Sequence, residues 1–413
     1  MTVLLQPKLR FKQNDGSDFP DWNFSKLASL SDVRDGTHES PKYIKDGFPL
    51  ITSKNLLKDG NLDFKNINFI TQEDFNSINL RSKVDIGDII FGMIGTIGNP
   101  VLLKEDGFAI KNVALIKEKK QLSNKFLIYY LQSNPISKQF YILNTGGTQK
   151  FISLSVIRGL LINFPSSKEQ QKIASFLSLV DKKIELLTKK HELLEKYKKG
   201  LMQKIFSQQI RFKQDDGSDF PDWESYKVGD LVKNIGGAPL EKYVKKQSSY
   251  KFISIGNYLQ GGKYYDNGAR IELNDITKKK LLNQNDLVMV LNDKTASGNI
   301  IGSTLLIDES DKYIYNQRSE RIICNNLIDV KYIHLFFNSP FFRNNIFKLS
   351  QGGTQIYINF SNIKKIDLEI PVKEEQQKIA SFLSSIDKKI DLAKLQIEKT
   401  QTFKKGLLQQ MFV

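Results

Sequence analysis

Two short runs carry the residues best suited to binding chemistry that this chain repeats: Gly146-Gly147-Thr148-Gln149 and Gly352-Gly353-Thr354-Gln355. Paired glycines let backbone amides approach an anion such as phosphate, while Thr and Gln can hydrogen-bond phosphate or the edge of a base. A tight turn ahead of a helix is the bland alternative for the same residues. Upstream of each run lie Gly-, Asn- and Lys-bearing loops that are not repeated. The first half offers Lys54 and Asn55, Gly95 and Thr96 in the turn 95–99, and Lys111 with Asn112. The second offers Asn257 and Tyr258, then Asn292, Lys294 and Thr295 in the loop 292–299, and Gln317 with Arg318. Arg matches the major-groove edge of guanine, and Asn or Gln that of adenine. As a set these residues point to hydrogen-bonded recognition of nucleic acid, although each alone is an ordinary loop residue.

Signatures of bond-making chemistry are missing where they would be expected. The chain has no GxxxxGK[ST] phosphate loop, no GxGxxG after a strand, and no Asn or Asp followed by Pro-Pro and an aromatic residue, the signature of amino-methylating enzymes. His38, His191 and His334 lie far apart, none at metal-ligand spacing, and His191 reads as a packing residue of a helix seam. A Pro-Asp pair invites comparison with metal-dependent nucleases, but Glu224 and Lys227 are misplaced for the acidic-x-Lys element that chemistry needs. Cys324 is the one cysteine and sits in RIICNN, the text of a buried strand, so disulfide scaffolding is excluded and a reducing cytoplasm fits. A formal charge of +16 points to a polyanionic partner. No apolar run approaches the roughly 20 residues that span a bilayer, and residues 1–13 lack the apolar core of a secretion signal.

Two repeated elements must position these loops. RFKQNDGSDFPDW at 10–22 returns as RFKQDDGSDFPDW at 211–223, Asn14 becoming Asp215, and EQQKIASFLS at 169–178 returns unchanged at 375–384. The lead-in motif has the turn chemistry of Asp-Gly and Phe-Pro-Asp, with Phe19 and Trp22 as apolar anchors. The second element opens a long helix in each half. Its apolar seam runs through Ile173, Leu177, Val180, Ile184, Leu187, Leu194, Leu201 and Ile205 in the first copy. In the second it runs through Ile379, Leu383, Ile386, Ile390, Ala393, Ile397, Leu407 and Met411. Matching seams in one chain predict two helices packed on each other.

Between these elements the text breaks into short strand-like runs parted by Gly, Asn and Asp, with a helical segment at 125–139 in the first half. The expected fold class is α+β, a pseudo-twofold tandem repeat with two mixed α/β domains separated by an antiparallel coiled coil. The expected order is a lead-in at 1–22, a first domain at 23–165, a helix at 166–208, a second lead-in and domain at 209–371, and a helix at 372–413. Because the first helix runs into the second lead-in, the twofold relation predicts that residues 1–22 lie beside 405–413. Identical text marks shared work; the divergent stretches 45–120 and 246–325 mark private work.

Two variable domains, each closed by a GGTQ-type loop, a Pro and an EQQKIASFL helix, together with lead-ins ending at Trp22 and Trp223, resemble the DNA-specificity subunit of type I restriction-modification systems over essentially the whole chain. The resemblance implies a non-catalytic subunit that reads a split, asymmetric target in double-stranded DNA. Each domain would read one half, and the coiled coil would serve as ruler and as dock for two methyltransferase subunits, with restriction and translocation subunits joining. It places S-adenosylmethionine, ATP and Mg on those partners, with no cofactor or metal in this chain and no membrane contact. A continuous helix over 169–207 would span about 58 Å at ~1.5 Å per residue, and DNA repeats about every 34 Å along one face. The interval between half-sites is then on the order of 5 to 8 unread base pairs.

Overall fold

The computed structural model describes residues 6–95, 97–143 and 151–413. It divides into two compact units, Met1–Thr188 with Leu395–Val413, and Lys189–Lys394. The division cuts through both long helices, Ser167–Phe206 and Lys373–Met411, and so departs from boundaries drawn at the ends of the helices. The physical reason is that the two ends of each helix pack on different domains.

In the first unit, Asn23–Lys26 pairs antiparallel with Leu161–Phe164 and ties the two ends of the domain together. One four-stranded sheet takes the order Asp32–Asp35, Val113–Lys117, Ile89–Gly92, Gly98–Leu102. A second takes the order Tyr43–Ile44, Asn68–Ile70, Phe48–Thr52, Ala109–Lys111, its last pair parallel. The second unit repeats the plan. Glu224–Lys227 pairs with Asp367–Ile370, the four-stranded sheet runs Val232–Gly236, Ser319–Cys324, Leu287–Val290, Thr304–Leu306, and Tyr250–Ile253 pairs in parallel with Tyr313–Tyr315. The helical segment of the first half is two helices, Asn124–Leu131 and Asn134–Leu143, with Ser133 Oγ donating to Tyr130 O where they part. Cys324 is a strand residue, only partly buried, and burial pushes its thiol up to about 12. No helix among the described residues is long and apolar enough to cross a membrane.

The repeated EQQKIASFL text is explained residue by residue. Glu169 is fully buried in the first helical turn and accepts from Arg10 Nη2 (2.8 Å) and Nε (3.1 Å); Glu375 accepts from Arg211 Nη2 (2.8 Å) and Nε (3.4 Å). Each guanidinium also donates to the carbonyls of its own lead-in, Phe19 and Pro20 or Phe220 and Pro221. Gln170 accepts from Ser123 N and donates to Gln121 O and Pro165 O, while Gln376 does the same with Asp329 N, Leu327 O and Pro371 O. Lys172 and Lys378 donate to Lys12 O and Lys213 O. Phe176 meets Phe11 edge-on at 5.6 Å, and Phe382 meets Phe212 at 5.5 Å. Ile173, Ala174 and Leu177 enter the first core, and Ile379, Ala380 and Leu383 the second.

The far end of each helix is gripped by aromatic residues. In the first unit Phe412 lies 5.6 Å from both Phe126 and Tyr130; in the second Phe206 lies 5.8 Å from Tyr332 and 5.1 Å from Phe336. Leu9 N donates to Gln410 O (3.0 Å), and Trp22 packs on Phe412, so the first lead-in does sit beside the end of the second helix. Lys404 pairs with Asp181 in the first unit and Lys198 with Asp387 in the second, the antiparallel sense. The seam is not uniformly dry. Val180, Ile205, Ile386, Ile390, Ala393, Leu407 and Met411 are buried, whereas Ile184, Leu187, Leu194, Leu201 and Ile397 are half-buried. His191 is half-buried too and lies 3.8 Å from Glu195 of its own helix.

Arg211→Ala strands the Glu375 carboxylate with Trp223 Nε1 (3.2 Å) as its remaining partner. A loss of about 3 kcal/mol is expected in urea unfolding, and adding Glu375→Gln should recover part of it. His334 turns Nδ1 to Thr304 Oγ1 (3.0 Å), and burial, then the Lys198 ammonium, push its imidazole down to about 4. That lies below the ~6.5 of an unfolded histidine, so protons favour unfolding as pH falls through this window. Between pH ~6.5 and ~4 the chain should lose on the order of 3 kcal/mol that a His334→Gln variant keeps, read by unfolding at stepped pH.

Candidate nucleic-acid interface

In the first domain the strand Ala109–Lys111 ends at a junction between its two sheets. The chain turns at Asn112, whose φ of 56° is left-handed, a conformation Asn tolerates better than most residues. Gly36 closes on this turn so tightly that a Cβ there would meet Ile110 O at 2.4 Å. Gly36 N donates to Val113 O, Thr37 N to Ile110 O and Asn112 N to Thr37 O. The closure seats His38 between two side chains, Nε2 2.9 Å from Asp35 Oδ2 and Nδ1 3.0 Å from Asn112 Oδ1. The buried Asp35 also takes Arg81 from the end of the helix Gln72–Ser82. Lys111 is buried along its length and donates from Nζ to Ser40 Oγ (2.7 Å).

The second domain builds the same junction with other side chains. A Cβ on Gly237 would lie 1.8 Å from Asn316 O, and Gly237 N donates to Ser319 O. Asn316 Nδ2 donates to Glu241 Oε1 (3.3 Å), and the Gln317 amide, oriented to donate, reaches Glu241 Oε1 (3.1 Å) and Ala238 O (3.0 Å). Lys280 donates to Gly236 O and lies over the Tyr315 ring at 5.7 Å. Arg318 is exposed, and its guanidinium has no partner among the described residues.

The expected site residues therefore sort into three groups. Lys111 and Asn112 come together at one junction, Gln317 and Arg318 at the other. Asp35, His38, Arg81, Glu241 and Lys280 join them and were missed. The signal for His38 was the Asp-Gly-Thr-His text after a strand, which lies outside the stretch taken as divergent. A second group lies near the repeated loop. Asn292 and Asp293 pair antiparallel with Tyr357 and Ile356, which brings the loop carrying exposed Lys294 and Thr295 beside exposed Gly352, Gly353, Thr354 and Gln355. Gly95 is exposed in the matching turn of the first domain, where Ile94 bridges Phe151. Thr96, Gly146, Gly147, Thr148 and Gln149 lie outside the described residues.

The third group is a correction. Asn55 and Asn257, expected on reading loops, are buried caps of short 3-10 turns. Asn55 Oδ1 accepts from Thr52 N and Oγ1, and its Nδ2 donates to Asp63 O and Asn66 O. Asn257 accepts from Ser254 in the same way and donates to Tyr265 O. Tyr258 is buried with its hydroxyl on Ser319 Oγ (3.0 Å), and burial raises the phenol above its ordinary value. Lys54, between two buried neighbours, stays exposed.

The family described as type I restriction modification DNA specificity domain matches the chain twice, at residues 20–196 and 221–400. The chain belongs to that family. Among its relatives, the type I restriction enzyme MjaVIII specificity subunit of Methanocaldococcus jannaschii is 24% identical over 424 residues, covering 99% of this chain and 96% of the relative. The solved type I restriction-modification S subunit of M. genitalium shares the fold at TM-score 0.58 and 17% identity, covering 99% of both chains. A chain from a study of complex assembly and conformational transition of a type I system matches at TM-score 0.55 and 15% identity, covering 94% of this chain and 97% of that one. In this specificity subunit Asn257→Ala removes acceptor and donor at once from a fully buried cap. It should cost about 2 to 3 kcal/mol in urea unfolding, with the fold of the first unit unaffected.

Proposed function

We propose that this chain is the sequence-reading subunit of a type I restriction-modification complex, binding a split, asymmetric site in double-stranded DNA with one half-site per domain. The observation that carries this reading is the junction present in both domains. A like backbone closure at Gly36 and at Gly237, one residue longer in the second domain, presents His38, Lys111, Asn112 and Arg81 in one case and Lys280, Gln317 and Arg318 in the other. A common scaffold with private side chains is what reading two different half-sites requires, because base edges differ only in the donors and acceptors they present.

The helices, of 40 and 39 residues, set the interval between half-sites, about 60 Å of helix at ~1.5 Å per residue. The unread spacer is on the order of 5 to 8 base pairs. Leu179 and Leu186 of the first unit, 69% and 55% exposed and one heptad apart, support the helices as the dock for two methyltransferase subunits, with restriction subunits joining them. Methylation and cleavage then belong to those partners in the cytoplasm, which carry S-adenosylmethionine, ATP and Mg, and this chain aims them.

The test is to map adenine methylation by single-molecule sequencing in cells that express the chain with its methyltransferase partner. The map is compared before and after residues 224–371 are exchanged for an unrelated second domain. One half of a split motif should change while the other half and the spacer stay fixed. A motif that survives the exchange intact would leave the chain a scaffold only.

A further inference from the structure

We propose that base specificity is set at the two sheet junctions, by Arg81 and Asn112 in the first domain and Arg318 in the second, each directed at a guanine, with His38 as the positioning residue for Asn112. This rests on the reading of the chain as a DNA-specificity subunit and goes beyond it by naming the residues and the base.

The two junctions are the same place in the fold. The parallel pairing sets Ile51 against Ile110 in the first domain and Ile253 against Tyr315 in the second, so that Lys111 and Asn316 stand at equivalent positions one step past Ile110 and Tyr315. Thr37 bridges Lys111 and Ala238 bridges Asn316 in parallel. Arg81 reaches Asp35 from the end of one connecting helical segment, and Lys280 reaches Gly236 O from the end of the other. Against this shared frame almost every side chain differs.

What remains unspent at each junction is donor chemistry. Asn112 Oδ1 lies 3.0 Å from His38 Nδ1 and accepts from it when that nitrogen carries the proton, which leaves Nδ2 without a partner among the described residues. Arg81 holds Asp35 with one Nη, yet its side chain is 66% exposed. Lys111 Nζ meets a hydroxyl and no carboxylate. The Arg318 guanidinium has no partner among the described residues. Guanine presents O6 and N7 as adjacent acceptors in the major groove, the one base edge there with two acceptors. An amide whose oxygen is already engaged loses the bidentate adenine contact and keeps the donor. The left-handed φ of Asn112 is a conformation that non-glycine residues rarely adopt and that clusters where a side chain must be aimed.

The competing loops spend several of their polar groups internally, while Lys294 stays exposed. Asp293 accepts from Thr295 N, Thr295 Oγ1 and Ile300 N, Asn299 Nδ2 donates to Ser297 Oγ, and Asn99 Nδ2 donates to Leu56 O. Their turns are built for shape. Beside the GGTQ run they suit the phosphate backbone, which carries no sequence information.

The experiment uses the full chain assembled with its methyltransferase partner, with methylation motifs mapped for the unaltered complex and for Asn112→Gly, His38→Ala, Arg318→Ala and the loop control Lys294→Ala. Glycine suits the φ at 112, so the first variant removes the amide and leaves the turn. Asn112→Gly should relax one guanine position in one half-site, by roughly 2- to 12-fold in preference, the worth of a single hydrogen bond. Arg318→Ala should relax a guanine in the other half-site. His38→Ala should relax the Asn112 position and no other, and Lys294→Ala should leave every position unchanged. A split motif that all four variants retain, or a uniform fall in methylation without a change of motif, overturns the junction as the reading centre while the subunit's role stands. An unaltered complex that methylates no split motif overturns both.

Discussion

Each half of this chain depends on a carboxylate buried in the first turn of a long helix. Glu169 and Glu375 are wholly shielded from solvent, a state that costs several kcal/mol unless the charge is met in full. Arg10 and Arg211 meet it with two nitrogens each, and the helix start favours a negative charge there. The same guanidinium is anchored to carbonyls of the lead-in, and the next residue, Gln170 or Gln376, ties the helix to the domain through three backbone bonds. Lead-in, domain and helix start therefore cannot shift independently.

This clasp also explains what could be read from the text. A ten-residue identity survives where most members of the repeat have partners that are themselves repeated, as Lys172 with Lys12 O and Lys378 with Lys213 O. That Leu9 and Trp22 lie beside Gln410 and Phe412 followed from connectivity together with the twofold repeat. Less legible was what identical residues do in unlike surroundings. Trp223 donates to Glu375, whereas the indole nitrogen of Trp22, against Phe126 and Phe412, has no partner among the described residues. The heptad pattern named the seam but not its wetness. Leu187 matches the pattern as well as Leu177 and Leu194 do, yet Leu177 lies in the first core and Leu194 packs against the second, while Leu187 joins neither.

The candidate site was legible in composition and obscure in assignment. An Asn in a divergent loop is equally fit to cap a turn or to face a ligand, because its one oxygen and two N–H groups serve either end. Asn55 became a cap because backbone carbonyls from residues 63 and 66 fold over it, a pairing that no local pattern encodes. Asn112 has its amide drawn to the surface by His38, 74 residues earlier in the chain, and Arg81 joins through Asp35, 46 residues earlier. Those separations are spanned by the parallel strand pairing, which brings loops together that sequence order keeps apart.

The division between backbone and side chain follows from these contacts. At each junction closure is made by main-chain hydrogen bonds and a glycine that admits no side chain, with the left-handed Asn112 as a further constraint in the first domain. The polar networks on top are short, and each is contained within its own unit: Asp35, His38, Arg81 and Asn112 in one, Gly236, Glu241, Lys280 and Gln317 in the other. Neither network shares a partner with the clasps at Glu169 and Glu375, and changes at sites without shared partners add nearly independently. Side chains at a junction can therefore vary without loosening the helices, and a duplicated scaffold can carry two different readers at little cost to its stability.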